Sequence, residues 1–433
     1  MYNTSFTLLR DGNYRVFFMG QGLSWLGSVM QSVAQGWLVW SLTRSPAQLA
    51  LVAIMLSLPV LLLSVPAGVA ADRFDKRALL MITQGGSLIP TLFLAILALR
   101  GEVTAPAIMF LAFCQGGLNA LEMPARQALL AELVPRTSLS QALAANAVAF
   151  NATRLVGPAA AGCIMAAFGP APCFFINALS YLAAVLALLR VRLPYRLQEP
   201  LRRQALPAAE LHEGLLFVAA RGEVRHLLLS VLLVSLFAIP FVPLLPVFAD
   251  GFHSGARGLG LMSACLGGGS LLAALWLACG EKAPRSPSDG TGAGMLFALA
   301  LLWFSRSPHY PMALLALFVA GGAVVLFLTR VNRALQQACP DRLRGRVMGV
   351  YTLSLLGMAP VGSAVVGGAA TTVGASSAVG LGSMLCITGL LLLQGTAGRV
   401  PRGIPVRVGS LWGRDAVGDE GAGTGKVAIP RTL

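Results

Sequence analysis

The sequence predicts an all-α integral membrane protein, with twelve transmembrane helices arranged as two pseudo-symmetric six-helix bundles. The first observation behind this prediction is composition: 56% of the 433 residues are hydrophobic and 11% are charged, whereas a soluble globular domain carries roughly 25% charged residues. The second is a series of twelve apolar runs, most of them close to the length of about 20 residues that spans a bilayer. The third is a helix–loop–helix pattern that occurs in both halves of the chain.

The apolar runs predict the helices in order along the chain. In the first half they cover residues 15–42, 47–70, 78–99, 105–130, 140–168 and 172–190. In the second half they cover residues 224–249, 258–279, 291–305, 311–335, 347–370 and 376–397. A Gly-rich stretch, Asp289 to Gly294, interrupts the start of the ninth run.

Polar segments divide the chain into four parts. Residues 191–223 are rich in Pro and Arg and predict a cytoplasmic linker, within which the leucines of 210–221 fall on one side and favour a short surface helix. Residues 399–433 are rich in Gly, Arg and Pro without an apolar period, and we expect them to be disordered. The bundles are then residues 1–190 and 224–398.

An internal repeat supports the division into two halves. In each half an arginine at the end of one helix is followed by a loop proline and then by a proline within the next helix. These residues are Arg126, Pro135 and Gly157-Pro158 in the first half, and Arg333, Pro340 and Ala359-Pro360 in the second. Duplicated halves around a central site are a common architecture of secondary transporters.

The net charge of +15 comes from 32 Lys and Arg against 17 Asp and Glu. If both termini are cytoplasmic, 27 of the basic residues fall on the cytoplasmic side, and four (Arg44, Arg100, Arg257 and Arg306) fall outside. The positive-inside rule therefore places both termini in the cytoplasm. The basic excess is explained by topology, and no nucleic-acid partner is expected.

The sequence shows none of the common enzyme or metal signatures. Seven cysteines are scattered without a CxxC pair, which argues against a disulfide framework and a metal site. No GxxxxGK[ST] loop suggests direct use of ATP, and no GxSxG or HExxH motif suggests hydrolysis. The four histidines fall near loops or helix ends. We expect neither an enzyme nor a bound cofactor.

Polar side chains recur at helical spacing in the first and fourth predicted helices. The first helix carries Gln21, Ser24, Ser28, Gln31 and Gln35, and the fourth carries Gln115, Asn119, Glu122 and Arg126. Steps of three and four residues keep each set on one face, and polar groups do not face lipid cheaply. With Asn146 and Asn151 of the fifth helix, these stripes predict the substrate path. The alternative is hydrogen bonding between helices without substrate contact.

Two charged residues stand out within the spans. Arg154 lies about 21 Å along the fifth helix, where it either attracts an anionic substrate or pairs with a carboxylate. Glu122 is the candidate for proton coupling, because burial favours the neutral form of a carboxyl group. However, Arg126 lies one turn away, which equally favours a plain ion pair. Asp250, at the end of the seventh helix, is a weaker alternative.

The loop between the second and third helices resembles the signature of the major facilitator superfamily. It reads Gly68-Val-Ala-Ala-Asp72-Arg73-Phe-Asp75-Lys76-Arg77, with Asp75 in place of the usual second glycine. The resemblance implies a gating loop. Gly68 would permit close helix approach, Asp72 would meet the positive N-terminus of a neighbouring helix, and the basic residues Arg73, Lys76 and Arg77 would pair with carboxylates across the interface of the halves. The alternative is a plain positive-inside loop.

The fifth helix carries a second signature, in which Gly157, Pro158 and Gly162 follow Asn151 and Arg154. It resembles the antiporter motif of the same superfamily. Further matching stretches include Gly36-Trp37-Leu38-Val39, Asn177-Ala178-Leu179-Ser180-Tyr181 and Arg344-Gly345-Arg346-Val347-Met348-Gly349. Together they look like the enterobactin-exporter branch, the transmembrane secretion effectors.

This resemblance implies a proton-driven exporter of a small amphipathic molecule in a bacterial inner membrane, and we expect it to work as a monomer. A siderophore is the first choice of substrate and multidrug or antibiotic efflux is the second. The proton gradient would be the driving force, without a cofactor. Uptake instead of export, and a non-transporting membrane sensor or scaffold, remain the rival hypotheses.

Overall fold

The computed structural model describes residues 10–191, 217–279 and 287–397, and these parts of the chain are helical almost throughout. In the first half (residues 10–191) the helices are α1 (Gly12–Thr43), α2 (Pro46–Arg73), α3 (Lys76–Arg100), α4 (Ala105–Leu133), α5 (Leu139–Phe168) and α6 (Ala171–Arg190). In the second half (residues 217–397) they are α7 (Gly222–Gly251), α8 (Gly255–Ala278), α9 (Pro287–Ser305), α10 (Tyr310–Ala338), α11 (Asp341–Val373) and α12 (Ala375–Ala397). Each predicted helix is found, and most end within about three residues of the predicted bounds, which is normal for a sequence prediction.

Residues at the helix ends explain where the helices begin. The Asp11 carboxylate caps α1 by accepting hydrogen bonds from the backbone N–H groups of Asn13 and Tyr14. Asp75 caps α3 in the same way, with Oδ1 2.7 Å from the nitrogen of Ala78. Such caps satisfy N–H groups that have no partner within the helix. The aspartate that replaces a glycine in the loop signature therefore starts α3.

Nine of the helices in the described ranges are long and apolar enough to cross a membrane, so the chain is a multi-pass membrane protein. The other three are α1, α4 and α9. Residues 290–305 of α9 form a shorter apolar helix. The first and fourth helices are long enough, with 32 and 29 residues, but they carry the polar stripes found in the sequence. The helices that fall short on hydropathy are thus the two that were predicted to line a path.

Two helices are interrupted. Helix α7 contains a π turn at Val234–Ala238 and a 3₁₀ segment at Ile239–Leu244, and α11 contains a π turn at Leu353–Gly357. Pro240 and Pro243 lack the N–H group that a regular α-helix needs, which accounts for the break in α7. Such interruptions frequently mark functional sites.

Short connections reverse the chain between successive helices, which defines two ends of the protein. The upper end carries the connections near residues 44, 101, 169, 253, 307 and 374, and the lower end carries those near residues 74, 135 and 339. The four arginines predicted to lie outside are all at the upper end. Described basic residues such as Arg73, Arg190 and Arg225 are at the lower end. This segregation agrees with the charge pattern of the sequence.

Packing is extensive within each half of the chain. Helix α1 lies against α5 and α6, α2 against α4, and α3 against α6, while α10 lies against α8 and α9. Buried hydrophobic side chains follow the same division, because one cluster runs from Val224 to Leu390 and two others fall between Tyr14 and Val191. Two helix pairs, α5 with α8 and α2 with α11, join the halves. The linker 191–223 falls mostly outside the described residues, and the tail 399–433 falls outside them entirely.

Candidate transport site

A cavity of about 460 Å³ lies between the two halves. The first half supplies most of its polar side chains (Ser28, Gln31, Gln35, Gln115, Asn119, Asn177 and Tyr181, here called the polar wall), together with apolar side chains of α1 and α2 such as Val33, Val39, Leu49, Val52 and Leu56. The second half contributes an apolar wall, which consists of Val242, Pro243, Leu245, Pro246 and Leu259, together with Ser263. The broken part of α7 supplies most of the apolar wall. A cavity of this size is typical of a site for a drug-sized molecule.

Both predicted polar stripes reach this cavity. Ser28, Gln31 and Gln35 of α1 line it, and so do Gln115 and Asn119 of α4. The side chain of Gln35 makes no hydrogen bond to another described residue, so its amide is available to a ligand or to water. A helix face that is polar in the sequence is thus the face that α1 and α4 present to the cavity.

Gln31 is fixed by two other helices. Its Oε1 accepts hydrogen bonds from Nδ2 of Asn177 on α6, at 2.6 Å, and from Oγ1 of Thr91 on α3, at 3.1 Å. Asn177 and Thr91 are fully buried. This arrangement satisfies polar groups that would be costly to bury alone, and it holds the wall in one geometry.

Gln115 is the centre of a second network. Its Nε2 lies within hydrogen-bond distance of Ser87 Oγ (3.0 Å), Asn119 Oδ1 (3.1 Å) and the Tyr181 hydroxyl (3.1 Å). The Tyr181 hydroxyl is also 3.2 Å from Oγ of Ser28 on α1. Four helices of the first half are therefore joined by polar contacts behind and along the wall.

Several members of these networks were not predicted as site residues. Asn177 and Tyr181 occur in the sequence one helical turn apart on α6, and Gln84, Ser87 and Thr91 recur on α3 at steps of three and four. This spacing was a usable signal, similar to the one on α1 and α4. It is shorter, because the spacing covers three residues on α3 and two on α6, against five on α1 and four on α4.

Glu122 and Arg126 lie at the lower end of the cavity and form an ion pair. Arg126 Nη1 is 2.9 Å from Glu122 Oε1, and the two side chains are 17% and 11% exposed. The Arg126 guanidinium also lies 5.1 Å from the ring centroid of Trp25, which makes a cation–π contact. Trp25 in turn meets Phe150 of α5 edge to face at 5.6 Å. In this conformation the carboxylate has the structural partner that the sequence offered as the alternative to proton coupling.

Five predicted path residues do not line this cavity. Gln21 and Ser24 are buried, and Ser24 donates to Gln84 on α3 at 3.1 Å. Asn151 donates to a carbonyl of its own helix, that of Ala147, at 2.8 Å. The remaining two are Asn146 and Arg154. No described residue of α5 lines the cavity, so the three predicted path residues on that helix all lie outside it.

Arg154 is half-buried near the middle of α5. Among the described residues no carboxylate pairs with it, so the sequence alternative of a buried partner finds no support in these parts of the chain. Its backbone is tightly packed: a Cβ added at Gly267 of α8 would lie 1.9 Å from the Arg154 carbonyl oxygen. The backbone at Arg154 thus lies directly at the contact between α5 and α8.

The antiporter-type motif lies at helix contacts. A Cβ at Gly162 would lie 2.8 Å from the Cα of Gly260 on α8, and one at Gly157 would lie 3.0 Å from Val29 on α1. Pro158 is buried between them. Small residues here let backbones approach closely, as ordinary helix packing also requires.

The gating loop differs from expectation in two respects. A Cβ added at Gly68 would meet no described atom within 4 Å, so Gly68 makes no close helix approach in this conformation. Lys76 pairs with Glu132 of α4 at 3.5 Å, and Arg77 donates to the carbonyl of Leu189 on α6 at 2.8 Å. These partners lie within the first half and not across the interface, because α3 begins beside the last turns of α4 and α6.

Two other members of that loop contribute less. Arg73 is exposed at the end of α2. The side chain of Asp72 lies outside the described part of the structure, so its predicted contact with a helix N-terminus stays a prediction.

The halves meet closely at the upper end. Arg44 Nη1 is 2.6 Å from Asp250 Oδ2, which joins the end of α1 to the end of α7. Nearby, a Cβ at Gly367 of α11 would lie 2.2 Å from the Cβ of Ala50 on α2. Asp250, the weaker proton-coupling candidate, is therefore part of a surface ion pair outside the cavity.

In the described ranges no group of three or more His, Cys, Asp or Glu side chains is placed to hold a metal ion. All seven cysteines are free thiols. The chemistry that the site offers is hydrogen bonding, apolar contact and one balanced ion pair.

Comparison with known proteins gives a consistent family. The profile of the transmembrane secretion effector family matches residues 3–402. The chain is 28% identical over 355 residues to the staphyloferrin A transporter of Staphylococcus aureus, with 81% of this chain and 87% of that protein covered. It is 27% identical over 368 residues to the multidrug efflux pump Tap of Mycobacterium tuberculosis (79% and 83% covered).

A third relative is the enterobactin exporter EntS of Escherichia coli, which is 26% identical over 333 residues with 75% and 78% covered. Among solved structures, the nucleoside transporter NupG superposes with a TM-score of 0.68 at 12% identity, covering 89% of this chain and 99% of that one. This likeness shows the fold. The chain therefore belongs to the transmembrane secretion effector family of major facilitator transporters, and it is not an enzyme.

Proposed function

We propose that this protein exports a small amphipathic molecule from the bacterial cytoplasm by proton-coupled alternating access. The observation that carries the proposal is the cavity between the halves, in which polar side chains of the first half lie among apolar side chains of both halves. An amphipathic molecule places its hydrogen-bonding groups on the polar wall and its apolar body on the apolar wall. Burial of the apolar part supplies affinity of about 25 cal/mol per Å², and the amides supply orientation.

A siderophore is the favoured substrate. Two relatives bear the names of siderophore transporters, that of staphyloferrin A and that of enterobactin. The free amide of Gln35 and the open side of Asn119 suit a molecule with many hydrogen-bonding oxygens.

Multidrug efflux is the second candidate, and the apolar wall favours it. Relatives named for multidrug efflux cover a similar share of the chain. Apolar side chains such as Met123 and Leu56 line the cavity, and a cationic, apolar drug would have to replace Arg126 as the partner of the Glu122 carboxylate. The two candidates differ in the charge that the cavity must accept.

The remaining features of the proposal follow from the charge pattern and the packing. Two six-helix bundles, residues 1–190 and 224–398, rock about the cavity, with twelve spans in the inner membrane, both termini in the cytoplasm and one chain as the working unit. The upper end faces outward and is closed by the contacts at Arg44 and Ala50. The basic loop at 68–77 belongs to the inner gate, and no cofactor takes part beyond the proton gradient.

Transport into inverted membrane vesicles tests this proposal. With a proton gradient imposed acid inside, export in the cell corresponds to accumulation in the vesicle. Staphyloferrin A, enterobactin and a cationic dye are suitable probes, because they separate the two candidates. Accumulation that collapses with an uncoupler supports proton-driven export, and loss of preloaded substrate on imposing the gradient supports uptake.

A matched pair of variants on α1 tests the role of the cavity. Gln35→Leu removes a free amide from the polar wall, and we expect about a two- to tenfold loss of transport, as for one hydrogen bond. Gln21→Leu changes the same residue type on the same helix outside the cavity and should transport normally. If neither variant, nor Ala at Glu122 or Arg154, alters movement of any probe, a non-transporting sensor or scaffold is the better hypothesis.

A further inference from the structure

Trp25, Arg126 and Glu122 form a compact cluster at the lower end of the cavity, and all three line it. Glu122 is 8% exposed and Trp25 is 9% exposed. The guanidinium of Arg126 bonds to the carboxylate on one side and covers the indole ring on the other. The indole Nε1–H of Trp25 is buried and has no hydrogen-bond partner among the described residues. The Trp25 indole N–H is thus a hydrogen-bond donor without an acceptor among the described residues.

The charge of the cluster is balanced as long as Glu122 is ionised. If a proton neutralises Glu122, Arg126 keeps a positive charge on a largely buried side chain (17% exposed) with no counter-ion among the described lining residues. An unpaired buried charge is strongly unfavourable. The guanidinium carries five N–H donors, and together with the indole N–H of Trp25 it offers the charge-assisted hydrogen bonds that anions accept.

Few other ionisable groups face this pair. Tyr181 of α6 lines the cavity, and a phenol is uncharged near neutral pH. The described lining from α1, α2, α7 and α8 includes no ionisable side chain. Lys76 of α3 is paired with Glu132 of α4 at the lower end. Arg154 of α5 does not line the cavity. The side chain of Asp72 on α2 lies outside the described part.

We propose that protonation of Glu122 converts this cluster into a subsite for a monovalent anion, held by the Arg126 guanidinium and the Trp25 indole N–H. The anion is a free halide or the carboxylate group of an organic molecule. The site then has two neutral states: an ionised Glu122–Arg126 pair, and a protonated Glu122 with an anion on Arg126. The inference rests on the proposed function for its role in the cycle: the anion would move inward with the driving proton, so it is a counter-ion of the return step and not the exported molecule.

Iodide tests the subsite directly, because it is an anion and also quenches tryptophan fluorescence. The measurement is iodide quenching of the purified, substrate-free protein in detergent between pH 8 and pH 4 at constant ionic strength. We expect iodide quenching to rise by at least about twofold as Glu122 becomes protonated, since an uncompensated charge concentrates counter-ions. Quenching by the neutral molecule acrylamide should not change in parallel.

Variants assign the signal among the six tryptophans. Trp25→Phe should remove the pH-dependent part of the iodide quenching. Trp40→Phe is the matched control, because Arg44 covers the Trp40 ring at 5.7 Å and pairs with a carboxylate in the same way at the exposed upper end. The rise at low pH should survive in Trp40→Phe.

Two further variants hold the cluster in one charge state at every pH. Iodide should quench the tryptophan fluorescence of the Glu122→Gln variant strongly at every pH. It should quench that of the Arg126→Gln variant weakly at every pH. Competition by chloride but not acetate identifies a halide subsite, whereas competition by both identifies a site that also takes carboxylates.

Three results would overturn the inference. Wild-type protein with no pH-dependent iodide quenching would show that the pair is a fixed structural contact, and this result needs no variant to fold. A parallel rise in acrylamide quenching would mean that the cavity merely opens. A pH-dependent rise that neither chloride nor acetate competes away would mean collision without binding. A negative transport assay with a positive iodide result would instead count against the proposed function.

Discussion

The ion pair between Arg44 and Asp250 joins the two halves at the upper end, so breaking it should favour a conformation that is open at that end. In the structure the pair is short, at 2.6 Å, but the side chains are 60% and 39% exposed. Exposed pairs are worth about 0.2–1 kcal/mol, and water screens this one substantially. We therefore expect the pair to stabilise the closed conformation by about 0.5 kcal/mol. Asp250→Asn should then shift the ratio of open to closed protein roughly twofold.

The assay measures distances between spin labels at Ala47 and Thr372, two exposed positions at the upper ends of α2 and α11. Labels require a background in which the seven native cysteines are replaced. Asp250→Asn, Arg44→Gln and the double variant give a double-mutant cycle, which isolates the energy of the pair. High salt should reduce the coupling towards zero, because salt screens exposed charges.

Glu102→Gln provides the control, since Glu102 is an exposed carboxylate at the same end without an ion pair to a described residue. It should leave the distance distribution unchanged. The reasoning is wrong if Asp250→Asn and Glu102→Gln shift the distribution equally, or if the coupling energy does not depend on salt. In that case the upper end is held by helix packing alone.

Three further predictions concern packing, the polar wall and the loop. Gly267→Ala should destabilise the protein by about 1–3 kcal/mol, because the new Cβ would meet the Arg154 carbonyl oxygen at 1.9 Å. Gly85→Ala should not destabilise it, because no described atom lies within 4 Å of the new Cβ. Thermal unfolding in detergent measures both variants. Tyr181→Phe should lower transport by about two- to tenfold, since it removes hydrogen bonds to two wall residues, and unchanged rates would make the hydroxyl a passive contact. Asp72→Asn should impair transport at near-normal membrane abundance; full activity would reduce the loop to a topology signal.

The sequence predicted the helices well because hydropathy reports a requirement of the lipid alone. A residue run must be apolar to cross the bilayer, whichever neighbours it has. The largest difference is in α11, predicted over 347–370 and observed over Asp341–Val373. That helix continues past the lipid at its lower end, where charged residues such as Arg344 and Arg346 end the apolar pattern but not the helix.

The rotation of a helix about its axis was harder to predict. On α4 the polar stripe faces the cavity, whereas on α1 its upper part (Ser28, Gln31 and Gln35) faces the cavity and its lower part (Gln21 and Ser24) is buried against other helices. On α5 small residues occupy several faces, so the sequence does not show which face packs against α8. Asn151 satisfies its amide within its own helix, and a polar residue of this kind carries no information about a cavity.

The distribution of polar contacts bears on how the halves move. The hydrogen bonds around Gln31 and Gln115 join α1, α3, α4 and α6, which all belong to the first half, and they make that half a rigid unit. Between the halves, the residues that the structure describes make contacts of another kind: glycine-lined approaches such as Gly162 with Gly260, and one exposed ion pair. Close packing without buried polar bonds lets two surfaces separate without leaving unsatisfied groups behind. An interface of this kind can open at modest cost, which is the physical property that alternating access demands of it.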